Sequence, residues 1–436
     1  MGQGAVKGFN DIFPASAEPF LHGGLWQHVL TTASEVLMAY GYAPTWFPLV
    51  EYAELFSRGL GNDTDVVSKE MYSFADRGDR QLALRPEGTA GAARAYIEHH
   101  LGRNAPQQKW FYWGPMFRAE RPQKGRYRQF YQLGAECFGA RGPLADVELL
   151  QMLTALCRAL GLPPLTTRIN TLGDKASRQA YLSALTRFLR QHEDALCGSC
   201  QARAARNPLR TLDCKEGRCR ALLRGAPDIL DSLTVDSKTW FDRYQALLAK
   251  ANVSVERSPT LVRGLDYYSE AIFELCTDAL GAQDAVFGGG RYDGLVELLG
   301  GPPTPAVGFA AGLERIALLL SGNVRQDAST PDLALLCADE GGQELILALA
   351  QALREQPLAA GVRPLRVLTE ADGGKLSRAF RRAERAGAAF ALVVGERERD
   401  GGQGTLKRLR DGHTTTVATT ASAIAPLLFD ARRQVP

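Results

Sequence analysis

Apolar residues recur at helical spacing from Leu25 to Tyr40, and Gly41 follows where a helix would stop. The next stretch, APTWFPLVEY, carries Pro44 and Pro48 and predicts an extended segment. Residues 82–87, LALRPE, predict a strand running into a turn, and GTAGAARAYIEHH predicts a helix. KWFYWGPMFRAE alternates as a strand does, RPQKGR supplies a polar loop containing Gly125, and YRQFYQLGAECFG alternates again. A β-hairpin with a long basic loop is therefore expected.

From about residue 174 to 255 the pattern turns mainly helical, polar and arginine-rich, and strand-like sequence returns at RSPTLVRGLDYYSEAIFELC. This predicts a helical insertion, residues 174–255, inside one sheet-based domain, residues 1–325. SGNVRQDASTP, residues 321–331, has the composition of a linker. Beyond it, in residues 331–436, DLALLCA, PLRVLTE and FALVVGE read as strands, with helices at EGGQELILALAQALREQ and KLSRAFRRAERAGA. Strands alternating with helices predict a small α/β domain.

Length agrees with this division, because 436 residues are nearly three times the one-domain prior of about 150. A hydrophobic share of 45% and a charged share of 23% exclude a disordered or fibrous chain. The opening MGQGAVKGFNDIFP has no apolar leader, and no run reaches the ~18 apolar residues of a membrane span, so a cytoplasmic location is expected. A net charge of +3 decides nothing about nucleic acid, which depends on local patches.

The densest local patch is FRAERPQKGRYRQFYQLGAECFG, residues 117–139. Side chains two apart on a strand share a face, so Arg118 and Glu120 would lie together on the first strand and Arg126, Arg128, Phe130, Gln132 and Glu136 on one face of the second, giving a paired face with guanidinium groups near the loop and an amide and carboxylate further in. The planar guanidinium fork suits phosphate or carboxylate oxygens. A solvated, salt-bridged hairpin is the plain alternative, but it leaves Glu136 on an aromatic-lined face in want of a partner.

Other motifs each admit two readings. In LVRGLDYYSEAIFE, Arg263, Tyr267 and Tyr268 could wall a ligand or fill a core. VFGGGRYDGL lacks the lysine of a phosphate loop, and its glycines fit either close approach to a ligand or a tight sheet bend. In AVGFAAGLERI, Arg315 near a helix start could grip a phosphate or be one more exposed arginine. Lys375, Arg378, Arg381, Arg382 and Arg385 give one helix a basic face that could meet RNA or be merely solvated. Cys197, Cys200, Cys214 and Cys219 could form a four-thiolate zinc site, although their second pair is irregular and unliganded thiols are the preferred reading.

Taken in order, these motifs resemble those of the histidyl-tRNA synthetases, within the class II aminoacyl-tRNA synthetases. FPLVEYAELFSRGLG is similar to the dimer-forming first class II motif, FRAERPQKGRYRQFYQLGAE to the second and AVGFAAGLERI to the third; RGLDYY and GGGRYDGL resemble segments peculiar to the histidine enzymes. The resemblance covers nearly the whole chain. It implies an α+β fold: a class II catalytic domain with an antiparallel sheet flanked by helices, a helical insertion and a C-terminal α/β anticodon-binding domain.

It also implies a reaction. Histidine and ATP, the latter with Mg2+, would form histidyl-adenylate and pyrophosphate, and the histidyl group would pass to the terminal ribose of tRNA(His). Two anions must meet in the first step, which accounts for arginine on both sides of a site. By resemblance Arg118 and Arg263 are the catalytic residues at the α-phosphate and the attacking carboxylate. Arg118, Glu120, Arg126 and Arg315 would bind ATP, with Arg315 at the γ-phosphate and Glu120 near the adenine.

Histidine would be held at RPEGT by Glu87, Gly88 and Thr89, together with Gln132, Arg118 and Arg263. Glu136 and Tyr268 would reach the two imidazole nitrogens, with Tyr267 and Tyr292 completing the pocket. Gln123, Lys124 and Arg128 in the hairpin loop would meet the tRNA acceptor end. No metal ligand, no organic cofactor and no membrane partner is implied, and a homodimer is. Tyr131 and Ser269 depart from residues common in the family, but Tyr131 should point away from Gln132. A regulatory paralogue from histidine biosynthesis, or a class II synthetase for another amino acid, are the rival readings; intact RGLDYY and second-motif residues weigh against both.

Overall fold

A computed structural model describes residues 4–433 apart from 15, 62, 63, 65, 105, 106, 124, 282–284, 322–329, 358–361 and 371–374. The chain divides into two compact units, Met1–Val324 and Arg325–Pro436. The linker expected at 321–331 lies largely outside the described residues.

The first unit contains β1 (Ala43–Pro44), β2 (Val50–Tyr52), β3 (Ser73–Ala75), β4 (Gln81–Leu84), β5 (Gln108–Phe117), β6 (Gln129–Phe138), β7 (Thr166–Thr171), β8 (Glu256–Arg257), β9 (Ser269–Cys276), β10 (Ala285–Arg291) and β11 (Ala306–Gly312). Eight of these form one sheet in the order β1-β5-β6-β11-β10-β9-β7-β8, and β2-β4-β3 form a small separate sheet. The six inner strands of the large sheet pair antiparallel throughout. The two-residue edge strands β1 and β8 pair parallel, so the sheet as a whole is mixed.

One face of this sheet is covered by the helices Gly23–Ala39, Leu144–Leu160 and Leu313–Leu320, whose apolar sides pack on Leu133, Ala135, Cys137, Phe273 and Phe309. The first helix buries Leu25, Val29, Ala33 and Leu37, a strict four-residue repeat, and Gly41 takes φ +81° just past its end. Each such leucine, fully buried, contributes about 1.5–3 kcal/mol of transfer free energy. The opposite face carries a second cluster, including Tyr96, Phe138, Ile272 and Tyr292, beneath the helices Ala53–Leu60 and Thr89–Glu98.

Helices fill most of residues 175–250, from Lys175–Gln191 to Val235–Lys250, around a small core of Tyr181, Leu185, Leu189, Leu209 and Leu223. Asp174 starts the first of them by accepting the Ser177 amide at 2.7 Å.

The second unit has a five-stranded sheet built from β12 (Leu333–Cys337), β13 (Val367–Glu370), β14 (Phe390–Val394), β15 (Gln403–Arg408) and β16 (Thr414–Ala418), in the order β13-β12-β14-β15-β16. The first three strands are parallel, as their helical crossovers require, and β15 and β16 add antiparallel. On the helix Leu376–Arg385, Arg378, Arg381 and Arg385 are exposed, whereas Arg382 pairs with Glu370 at 2.5 Å.

One expectation needs correction. The hairpin strands stop at Phe117 and resume at Gln129, so Arg118, Glu120, Arg126 and Arg128 sit in the loop and not on strand faces. Two-residue parity fails there because the loop folds on itself: Gln123 and Arg126 exchange both backbone hydrogen bonds, at 3.0 and 2.9 Å.

Candidate active site

Strand β6 has two chemically different faces. Leu133, Ala135 and Cys137 point into the helix-covered core, while Gln132, Gly134 and Glu136 point the other way. Tyr131 does face away from Gln132, packing edge-on against Trp26 with ring centroids 5.1 Å apart. Both faces are buried, so the polar one must find partners within the protein or in a ligand.

At the loop end of that face lies a cleft of about 300 Å³, lined by Arg118, Arg126, Arg263, Arg315 and Lys215 against Glu120, Glu274, Asp213 and Glu314. Arg118 donates from Nε to the Pro86 carbonyl at 3.0 Å and lies 5.2 Å from the Phe130 ring centroid. Arg126 donates to Glu120 at 3.0 Å, and Arg315 donates to the Ala285 carbonyl at 2.6 Å. Burial, with Arg126 and Arg118 nearby, lowers the Arg315 pKa, the signature of crowded positive charge.

Arg263 is held from the far side of the cleft by Glu274. Burial works to lower its pKa, but the Glu274 charge outweighs that and raises it. Its Nε has no hydrogen-bond partner although buried, and neither has Oε1 of Gln132. Two unsatisfied polar atoms of opposite kind thus border one cleft, an arrangement that favours a ligand bearing both an acceptor and a donor.

Beyond Gln132 lies a closed hydroxyl and carboxylate cluster. Glu136 is fully buried and accepts from Thr89 Oγ1 at 2.8 Å, from the Tyr112 hydroxyl at 2.9 Å and from the Tyr292 hydroxyl. Burial pushes its carboxyl up to about 8 against those three donors. Glu87 accepts the amides of Thr89 at 2.7 Å and Ala90 at 2.8 Å, so it holds the start of the helix Thr89–Glu98; burial raises its pKa as well. Tyr267 lies tilted against Tyr268 at 4.6 Å and edge-on to Tyr292 at 5.5 Å, and the Tyr268 ring sits 5.8 Å from the Arg263 guanidinium.

Missing side chains make this packing possible. A Cβ on Gly308 would stand 1.8 Å from Oε2 of Glu136, and one on Gly288 would stand 2.4 Å from the Arg263 guanidinium nitrogens. The glycines of GGGRYD therefore admit a protein side chain and a neighbouring strand, and Arg291 after them is wholly structural. That guanidinium is completely buried and bonds Asp146, Asp293 at 3.1 Å and the carbonyls of Ala140 at 2.8 Å and Gly142 at 3.1 Å.

The structure thus gathers Arg118, Glu120, Arg126, Gln132, Arg263 and Arg315 around the cleft, and Glu87, Gly88, Thr89, Glu136, Tyr267, Tyr268 and Tyr292 in the adjoining cluster. Glu136 does not line the cleft itself, and Tyr112 and Tyr292, not Tyr268, are the tyrosines bonded to it. Arg128 stands apart, tied to the carbonyls of Glu120 at 3.2 Å and Lys7 at 3.5 Å; Gln123 is exposed, and Lys124 lies outside the described residues.

Sequence reasoning missed Tyr112, Glu274, Asp213 and Lys215. Tyr112 was within reach, since a polar aromatic in a buried strand needs a partner and β5 pairs it across from Gly134. Asp213 and Lys215 arrive from the insertion and carry no local signal.

Comparison with known proteins gives the family. Residues 8–316 match the histidyl-tRNA synthetase family, and residues 332–423 match the anticodon binding domain family. The chain belongs to the histidyl-tRNA synthetase family. A protein named histidine–tRNA ligase from Trichlorobacter lovleyi is 45% identical over 96% of this chain and 97% of its own length. One of the same name from Anaeromyxobacter sp. (strain K) is 46% identical over 96% and 98%. The crystal structure of apo S. aureus histidyl-tRNA synthetase superposes with a TM-score of 0.76 at 31% identity, covering 98% of this chain and 99% of that one. The fold is accordingly the class II synthetase fold followed by an anticodon-binding domain.

Proposed function

We propose that this protein is the ATP-dependent ligase that joins L-histidine to tRNA(His) through histidyl-adenylate. The observation that carries the reading is the ring of Arg118, Arg263 and Arg315 around one cleft, whose inner end passes through the unsatisfied amide of Gln132 to the buried Glu136.

In the first step a histidine carboxylate oxygen forms a bond to the α-phosphorus of ATP while the bond to the bridging oxygen breaks and pyrophosphate leaves. Arg118 and Arg263, on opposite sides of the cleft, offset the repulsion between carboxylate and phosphate and the charge that builds on the α-phosphoryl oxygens. Arg315 and Arg126 hold the outer phosphates, and Glu120 lies beside Arg126 near the adenine. ATP would enter as its magnesium complex, for which Glu274 offers oxygen donors of the type magnesium takes. In the second step a terminal ribose hydroxyl attacks the carbonyl carbon, and AMP leaves.

Gln132, Glu87 and Thr89 receive the α-amino group; the free Oε1 of Gln132 is a fitting acceptor. Glu136 already accepts from three hydroxyls, so its position takes O–H or N–H donors, and an imidazole N–H is such a donor. Tyr268 serves the second ring nitrogen, and Gly88, Tyr267 and Tyr292 shape the pocket. Such a site rejects apolar side chains, because they would leave its buried polar groups unpaired.

We assign residues 1–325 to catalysis, with 174–255 as its insertion, and 331–436 to anticodon binding. Gln123, Lys124 and Arg128 face the acceptor end in this scheme. A homodimer through the first motif is supported by exposed Trp46, Leu49, Tyr52 and Phe74, two of them on or beside β2. Among the described residues no helix is long and apolar enough to cross a membrane, which is compatible with a cytoplasmic location.

Pyrophosphate exchange into ATP, with each amino acid supplied singly, tests the reading. Exchange with histidine alone is expected. Exchange with another amino acid, or with none, would overturn it.

A further inference from the structure

The four clustered cysteines play no part in that chemistry, yet they converge on one point of the insertion. Cys197 caps the helix Gly198–Arg206, Cys200 lies in its first turn, Cys214 follows the turn Pro208–Thr211, and Cys219 lies in the helix Gly217–Leu223. Three separate backbone segments thus deliver four thiols to one point. All four sulfurs lie within 4.8 Å of one another, and Sγ of Cys197 and Cys214 are 3.9 Å apart.

That spacing is close to a metal cage. Four sulfurs each about 2.3 Å from a central zinc ion, at tetrahedral angles, stand about 3.8 Å from one another. A disulfide would need about 2.05 Å between sulfurs, and all eight cysteines of the chain are free. The backbone amide of Cys197 points at Sγ of Cys219, 3.1 Å away, supplying the kind of donor that steadies a metal-bound thiolate. Cys200 and Cys219 are fully buried and Cys214 is 8% exposed.

Cysteines used only as small apolar residues have no reason to converge. Cys137, Cys157, Cys276 and Cys337 do not gather with one another or with any His, Asp or Glu in a ligand-like group among the described residues. We propose that Cys197, Cys200, Cys214 and Cys219 bind one zinc ion, which closes the insertion and holds its 207–215 segment against the active-site cleft. The four-sulfur set leaves no open coordination position, so the ion is structural.

The segment it would hold is the one that reaches the cleft. Asp213 and Lys215 flank Cys214 directly and both line the cleft wall. Upstream, the side-chain amide of Asn207 donates to Asp266 at 3.2 Å, and the Arg210 guanidinium lies beside Gly264, within the RGLDYY segment. Zinc binding deprotonates the thiols and trades three flexible connections for one fixed point, which a core as small as this one needs.

The test begins with the full-length protein purified without chelator after growth in zinc-supplemented medium. Plasma mass spectrometry is expected to find about one zinc per chain, released when an organomercurial titrates about four thiols. Cys214→Ser and Cys219→Ser are each expected to lose the zinc and to expose residues 174–255 to limited proteolysis, while Cys157→Ser keeps it. Cobalt substitution should give the charge-transfer bands of a four-thiolate tetrahedral site. Less than about half an equivalent of zinc, iron in its place, or full retention of zinc by both cluster variants would overturn the proposal. None of these readouts depends on the reaction proposed above, so the two can fail separately.

Discussion

Arg291 ends strand β10, Arg263 precedes strand β9 of the same sheet, and each meets a carboxylate, but their surroundings differ. Arg291 is completely enclosed, and Asp146, Asp293, two carbonyls and the face of Trp240 at 5.4 Å account for its whole guanidinium group. Arg263 keeps one-fifth of its side chain exposed to the cleft, has Glu274 on one side and leaves Nε without a partner. Complete satisfaction marks a residue that holds the fold. Incomplete satisfaction at a cleft is what the proposed ligand-binding role of Arg263 requires.

The comparison can be broken most easily at its structural half. Arg291→Ala leaves Asp146 charged and unpaired in the interior, so a loss of about 3–5 kcal/mol is expected in denaturant unfolding, with the histidine KM of the folded fraction little changed. A normal unfolding midpoint would remove Arg291 from the scaffold. Arg263→Ala should do the converse. Its exchange rate should fall about 10²–10³-fold, worth ~2.7–4 kcal/mol at the transition state, while Tm moves by only about 2 °C and histidine binding measured by calorimetry survives. Equal losses in rate and binding would defeat the catalytic assignment.

Glu136→Gln probes the other end of the same face. The histidine KM should rise about 10–100-fold, with the ATP KM unmoved, since exchanging one carboxyl oxygen for an amide nitrogen leaves a buried hydrogen-bonding group unsatisfied at about 1–3 kcal/mol. The same variant has a pH signature. Burial holds this carboxyl near 8 in the folded chain against 4.5 ordinarily, so folding takes up a proton between those values. Its contribution to stability is present below about 4.5 and is lost as pH climbs through about 8, and the decline of Tm with pH should be shallower in Glu136→Gln. A parallel decline would show that Glu136 is not the group responsible. The smallest effect is expected of Tyr112→Phe, which removes one of three donors to Glu136 and should weaken histidine binding by about 0.5–1.5 kcal/mol, a few-fold in KM.

Much of this contrast was legible in the chain. Strict alternation revealed the β5–β6 hairpin, and a carboxylate at Glu136 on an aromatic strand face already demanded a partner. The helical insertion within a sheet-based domain also followed from periodicity. What escaped depends on register and on long-range approach. Tyr112 reaches Glu136 because β5 and β6 pair residue 112 with residue 134, an offset that alternation alone leaves open. Glu274 became visible only when RGLDYY proved to lie before β9 and not within it, which turns Arg263 back across the strand. Lys215 and Asp213 come from 50 residues away in sequence from the RGLDYY segment they adjoin, about the reach of a whole insertion. Strand parity also failed beyond Phe117, where hydrogen bonds within the loop replaced the ladder.

The absent side chain at Gly308 has a consequence for how this protein can change. An alanine methyl there would overlap Oε2 of Glu136 and lie 2.6 Å from the Ala135 carbonyl, so the smallest possible substitution meets both a fixed strand and a buried carboxylate. Residue 136 could explore Gln or Asp at some loss of function and still fold, but position 308 has no neighbouring step to take. In a deep mutational library this emptiest position should tolerate less than the carboxylate it shelters, so that one hydrogen atom at residue 308 constrains the chain more tightly than the charged group beside it.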